Sequence, residues 1–128
     1  MSKKILINLP VSDPQASKAF FVALGLAFNE TLSDEHATCF NIEENIIVAL
    51  LPAEHFKDTL MGNDAAAPTT NETVLAIGME SKEDVDALLD KAVAAGGTEL
   101  HDRVDMPGIY AGTFKDLDGH FWNVFYMS

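Results

Sequence analysis

The sequence predicts an α+β protein made of two β-α-β-β-β modules. Three observations point there. The order of strand-like and helical segments in residues 1–61 recurs in residues 73–128. Small and polar residues at 62–72 separate the two halves. Each half carries one clear apolar stripe at helical spacing, directly after its first strand. One helix covers one face of a four-stranded sheet, so each sheet still needs cover on its other face. Two curved sheets meeting around a shared cleft would provide it.

The elements follow in order. "KKILINLP" reads as a buried strand. Asp13 then supplies a side-chain acceptor at an N-cap, and Pro14 suits the first helical position. Ala16, Ala19, Phe20, Ala23 and Leu24 make an apolar face, and Gly25 stops the helix. "LAFNETL", "ATCFNIE" and "NIIVALL" are the next strands, with "SDEH" and "EEN" as turns. "PAEHFKDTLMG" forms a short amphipathic helix, and "GNDAAAPTTNE" is the linker, at 62–72. In the second half "ETVLAIGM" is a strand. Ser81 and Asp84 resemble a capping box, and Val85, Leu88, Leu89, Ala92 and Val93 form the helical stripe before Gly96 and Gly97. "TELHD", "IYAGTFK" and "FWNVFYM" close the module.

Composition narrows the partners. Apolar residues make up 48% of the chain, enough for a core. Twenty acidic residues against eight basic ones give a net charge of −12, which opposes binding to nucleic acid or to an anionic membrane surface. A cationic small molecule would be steered in. The single cysteine, Cys39, forbids an internal disulfide and lies in an apolar run, so a buried, inert thiol is expected. The N-terminal apolar run is broken by Asn8 and Pro10, too early for a signal segment or a membrane span, and the expected location is the cytoplasm.

Three stretches, "INLPVSDPQASKAFFVALGL", "VDALLDKAVAAGG" and "FKDLDGHFWNVF", make the chain resemble the glyoxalase, bleomycin-resistance and extradiol-dioxygenase group, the vicinal oxygen chelate superfamily. The last stretch is the most specific, with Leu117 where the group usually has Pro. The resemblance implies paired βαβββ modules whose curved mixed sheets form a cup, and a homodimer. It also implies four metal-ligand positions, which fall on Leu6, Ala49, Val74 and Asn123. Leu, Ala and Val have no lone pair to offer, and an amide oxygen alone is a weak ligand for zinc, nickel or iron. A one-residue register slip would turn every strand to its other face. The expectation is therefore no metal and no other cofactor, unless a divalent ion sits at a site outside the family pattern.

Strand alternation gives the expected lining of the cup: Leu6, Asn8, Ala49, Val74, Phe121, Asn123 and Phe125, with Tyr110 and Phe114, and Phe40, near its walls. Asn123 either bonds within the core or meets a ligand. No catalytic residue is assigned. The expected function is metal-free binding of a small apolar, aromatic or cationic molecule. The alternatives are a glyoxalase-type lyase or isomerase, or a dioxygenase, using a relocated metal site built from His36 or His101, and an interaction protein whose cup is filled. Asp116 and Asp118 read as turn residues and not as a catalytic pair.

Overall fold

The computed structural model describes residues 3–59 and 73–128. The expected linker at 62–72 lies outside them. The chain divides into two compact units, Met1–Ala67 and Pro68–Ser128. Each is an open mixed sheet with a long helix on one face, which is the α+β architecture expected.

The first unit runs β1 (Ile5–Val11), α1 (Pro14–Ala23), β2 (Ala27–Phe28), β3 (Thr38–Glu43), β4 (Ile46–Pro52) and a short α2 (Ala53–Thr59). Its sheet order is β1-β4-β3-β2, with β1 parallel to β4 and the rest antiparallel. Asp13 caps α1 as its sequence implies, accepting from the Gln15 and Ala16 amides at 3.1 and 3.2 Å. Gly25 leaves the helix at φ 91°, a conformation open to glycine. The buried face of α1 differs from the expected one. Ser17, Phe20, Phe21 and Leu24 are buried, whereas Ala16, Ala19 and Ala23 are exposed. The two adjacent aromatics set the phase, because a phenyl ring removes far more apolar area from water than a methyl group. Phe21 stacks on Phe40 at 4.7 Å. Phe40 therefore packs under α1 and not toward a cleft.

The expected strand "LAFNETL" shortens to Ala27–Phe28. Beyond it, Asn29 folds the chain back: its side chain accepts from the Leu32 amide at 3.0 Å and its carbonyl from Ser33. This turn lies beside Cys39, whose amide donates to Ser33 Oγ and whose thiol points at the Leu32 carbonyl. Burial, together with the charge of Asp34, pushes the Cys39 thiol pKa up, which makes it a poor nucleophile.

The second unit runs β5 (Val74–Gly78), α3 (Lys82–Ala94), β6 (Thr98–Glu99), β7 (Val104–Met106), β8 (Ile109–Lys115) and β9 (Phe121–Met127). The order is β5-β9-β8-β6, with β7 also on β8. Strand β7 was not expected. It and β6 are two pieces of one broken edge strand, pairing with opposite ends of β8. The break lies where Arg103 reaches three carboxylates, Glu99 at 2.9 Å, Asp86 at 2.6 Å and Asp90 at 2.7 Å. Ser81 caps α3 through the Asp84 amide. Val85, Leu88, Leu89 and Ala92 are buried, while Val93 is 47% exposed and stands outside the stripe.

Gly112 on β8 lies beneath α3. A β-carbon there would clash with Leu89 Cδ1, and Leu89 is fully buried. Gly112→Ala is expected to cost about 1–3 kcal/mol. A urea melt with an unchanged midpoint would contradict this packing.

Candidate functional site

The turn that precedes β9 organises the site. Asp116 is buried, and its carboxylate accepts four hydrogen bonds. Oδ1 takes the amides of Asp118 and His120 at 2.9 and 3.0 Å. Oδ2 takes His120 Nδ1 at 2.9 Å and Trp122 Nε1 at 3.1 Å. Gly119 completes the turn at φ 84°. Burial would raise the Asp116 pKa, but the bonds and charge from His120 and the bonds from Trp122 and the backbone outweigh it and hold the carboxyl below its ordinary range. Burial would lower the His120 pKa. The Asp116 bond and charge, and the Asp118 charge, raise it instead.

This turn fixes the register of the β8–β9 hairpin: Lys115 faces Phe121, Thr113 faces Asn123, and Ala111 faces Phe125. These residues share the face of the sheet turned away from α3. The other face carries Phe114, Gly112, Trp122 and Val124, all buried against α3 or one another. Parallel pairing adds Val74 beside Phe121, Ala76 beside Asn123 and Gly78 beside Phe125. On the face away from α3, Val74, Ala76 and Gly78 are exposed, and Phe121, Asn123 and Phe125 are half-buried. The Phe125 ring lies over Gly78, where a β-carbon would come within 3.0 Å of its Cζ.

Asn123 is thus an amide between two phenyl rings. Its Oδ1 accepts from Thr113 Oγ1 at 2.6 Å, and its Nδ2 has no partner among the described residues. Lys115 stands diagonal to it on the same face, half-buried and without a partner among the described residues.

The other candidate residues are distributed as follows. Tyr110 is on the α3 side: its hydroxyl donates to Asp86 at 2.6 Å, and this bond raises the Tyr110 pKa and lowers that of Asp86. Its alternation with Thr113 puts it on the face opposite Asn123, so it does not line the same surface. Phe114 is likewise on the α3 side, stacked parallel to Trp122. Tyr110 instead joins Tyr126, Lys82 and the Pro107–Gly108 turn around a separate groove of about 350 Å³. In the first unit, Leu6, Asn8 and Ala49 lie on the face away from α1, with Asn8 beside Ala49. Leu6 is 52% exposed and Asn8 half-buried, but Ala49 is packed with Cys39, Ile47 and Ala37.

Sequence reasoning missed Thr113 and Lys115. The signal was available in the turn. Once residues 116–120 close on themselves through Asp116 N and the His120 carbonyl, 115 must pair with 121 and 113 with 123.

The family metal does not fit the residues present. Leu6, Ala49 and Val74 offer hydrocarbon, and the Asn123 oxygen is already bonded to Thr113. Among the described residues no group of three His, Cys, Asp or Glu side chains is placed to hold a metal ion. His36 lies against His55 and Glu35, and His101 bonds the Asp102 carbonyl. No helix among the described residues is long and apolar enough to cross a membrane.

The sequence model of the glyoxalase/bleomycin resistance protein/dioxygenase superfamily matches residues 5–124. A hypothetical protein from S. aureus is similar in structure, with 30% identity, a TM-score of 0.81, and 98% of this chain and 94% of that one covered. A glyoxalase/bleomycin resistance protein/dioxygenase family enzyme from Burkholderia phytofirmans PsJN superposes with a TM-score of 0.84 at 16% identity, covering 99% and 100%. A lactoylglutathione lyase from Agrobacterium tumefaciens gives 0.66 at 16%, covering 98% and 94%. The last two likenesses concern the fold alone. Among curated proteins none matches in sequence.

Proposed function

Because the chain belongs to the glyoxalase/bleomycin resistance protein/dioxygenase superfamily, we propose that it works there as a metal-free binding protein, holding a small aromatic or apolar molecule on the Asn123 face of its second sheet. The observation that carries this reading is one polar group between two half-buried phenyl rings, on a sheet face whose β5 positions are open. Apolar walls with a few polar groups to orient the ligand are the usual chemistry of small-molecule sites. Lewis-acid chemistry on an enediolate, or activation of oxygen, needs a metal that Leu6, Ala49 and Val74 cannot hold. Homodimer assembly belongs to the same proposal.

Native mass spectrometry with metal analysis on the purified chain reports oligomer, metal and retained ligand together. One transition metal per chain, lost on Asn123→Ala, would overturn the metal-free reading. For binding, Asn123→Leu is expected to weaken the affinity for a naphthalene-sized probe such as 2-acetonaphthone by about 1–3 kcal/mol, because the ligand oxygen is left unpaired. A urea melt run alongside should show only the loss of the Thr113 bond, about 1 kcal/mol. If the melt shifts and binding does not, Asn123 serves the core alone.

A further inference from the structure

We infer that the molecule held on this face is a planar aromatic carrying an acceptor oxygen, best an anionic one such as a carboxylate or phenolate, gripped by Asn123 Nδ2 and Lys115 Nζ. This rests on the binding reading above and narrows it. The deciding contact is Thr113 to Asn123. Thr113 is 9% exposed, and its hydroxyl donates to Asn123 Oδ1 at 2.6 Å. An amide whose oxygen is engaged turns its NH₂ outward, so the group offered to a ligand is a donor. A carboxylate at this position would have offered only acceptors at neutral pH. Thr113 is therefore a positioning residue: in this arrangement its bond to Oδ1 leaves the NH₂ end of the amide for the ligand.

Lys115 adds an independent observation. Among the described residues Arg103 holds three carboxylates, Lys82 sits 3.3 Å from Asp105 and Lys18 lies over the Phe28 ring, while Lys3, Lys4 and Lys91 are exposed to solvent. Lys115 is half-buried with no counter-charge among the described residues, in a chain with a net charge of −12. Leaving a partly desolvated ammonium unpaired is unfavourable, and a ligand anion would offset that. Cross-strand geometry places diagonal neighbours about 7–8 Å apart at the backbone, so a lysine stem can bring its ammonium to a group seated at Asn123. The rings of Phe121 and Phe125 supply apolar contact on either side. A cationic ligand would meet an amide NH₂ and an ammonium. The cation favoured by overall charge is thus disfavoured by the site.

The test uses the full chain and three probes with one ring system: 2-naphthoate, 2-acetonaphthone and (2-naphthyl)trimethylammonium. Affinities are read by calorimetry, and the Asn123 side-chain NH₂ signals by nitrogen-edited NMR. Naphthoate should bind tightest, the ketone next, and the ammonium at least about tenfold weaker than naphthoate. The Asn123 NH₂ pair should shift with the first two probes. Lys115→Gln should bring naphthoate down to the level of the ketone and leave the ketone unchanged. Thr113→Val should weaken both acceptor probes and free the amide to turn, while Thr113→Ser restores them. Tighter binding of the ammonium, or naphthoate affinity indifferent to Lys115→Gln, would overturn this inference and leave the binding site standing. Absence of binding by all three, with residues 121–125 unshifted, would overturn the binding proposal and this inference with it.

Discussion

Asp116→Ala is expected to lower the stability of the protein by about 3–5 kcal/mol, the cost of removing one partner from a buried, charged hydrogen-bond network. Four donors converge on this carboxylate, two from backbone amides and two from the rings of His120 and Trp122. Alanine would leave those of Trp122 and the backbone facing a void. The direction of the pH dependence follows from the two shifts. The His120 pKa is raised above its ordinary 6.5, so its contribution is complete below that pH and is lost as pH rises through the higher folded value. The Asp116 pKa is lowered beneath 3.8, so its contribution is complete above that and is lost as acid reaches the folded value. The pair stabilises most between these limits. NMR titration of His120 should give a midpoint above 6.5 that falls in Asp116→Asn, since burial without the carboxylate opposes the imidazolium. A midpoint at or below 6.5 in the wild type would refute the coupling.

In the other unit the largest effect is expected from Phe21→Ala, about 3–5 kcal/mol. Phe21 is 2% exposed, stacked on Phe40 and edge-on to Phe20 at 5.0 Å. Ala16→Ser and Ala19→Gln, on the solvent side of the same helix, should each stay within about 0.5 kcal/mol. Urea melts of the three variants decide the phase of α1. Comparable losses in all three would mean that the alanine face is buried after all.

Elements set by local geometry are legible in the sequence, and elements set by tertiary contact are not. Caps and stops were plain, because Asp13, Pro14, Gly25 and Ser81 act through local geometry that needs no partner. Five apolar letters at helical spacing suggest an alanine face for α1, but Phe21, outside that pattern, buries more surface than the alanines within it and sets the phase. Alternation along β9 separates Asn123 from Trp122 from sequence alone. The facing of β8 was harder. Tyr110 and Phe114 look like walls of a cleft until the 116–120 turn is known to pair 113 with 123, which sends both toward α3. Strand β7 escaped because the Pro107–Gly108 turn separates runs of only a few residues, and pairing with β8, a tertiary matter, makes such a run a strand. Arg103 and its carboxylates were invisible for the same reason: Asp86 and Asp90 come near Arg103 only once α3 has docked.

The outermost strands opposite the parallel pairs, β2 and β6, are two residues long. A stub of that length offers a second chain almost no ladder of amides and carbonyls to extend. Beside β6, the broken edge is interrupted by His101, Asp102 and Arg103, and further charge comes from Glu99 and Asp105. Growth of a cross-chain sheet from these margins would stall after a residue or two, then meet like charge from a copy that is itself strongly acidic. The brevity of β2 and β6 thus works against fibril growth from these two margins, and leaves β1 and β5 as the edges long enough to begin one.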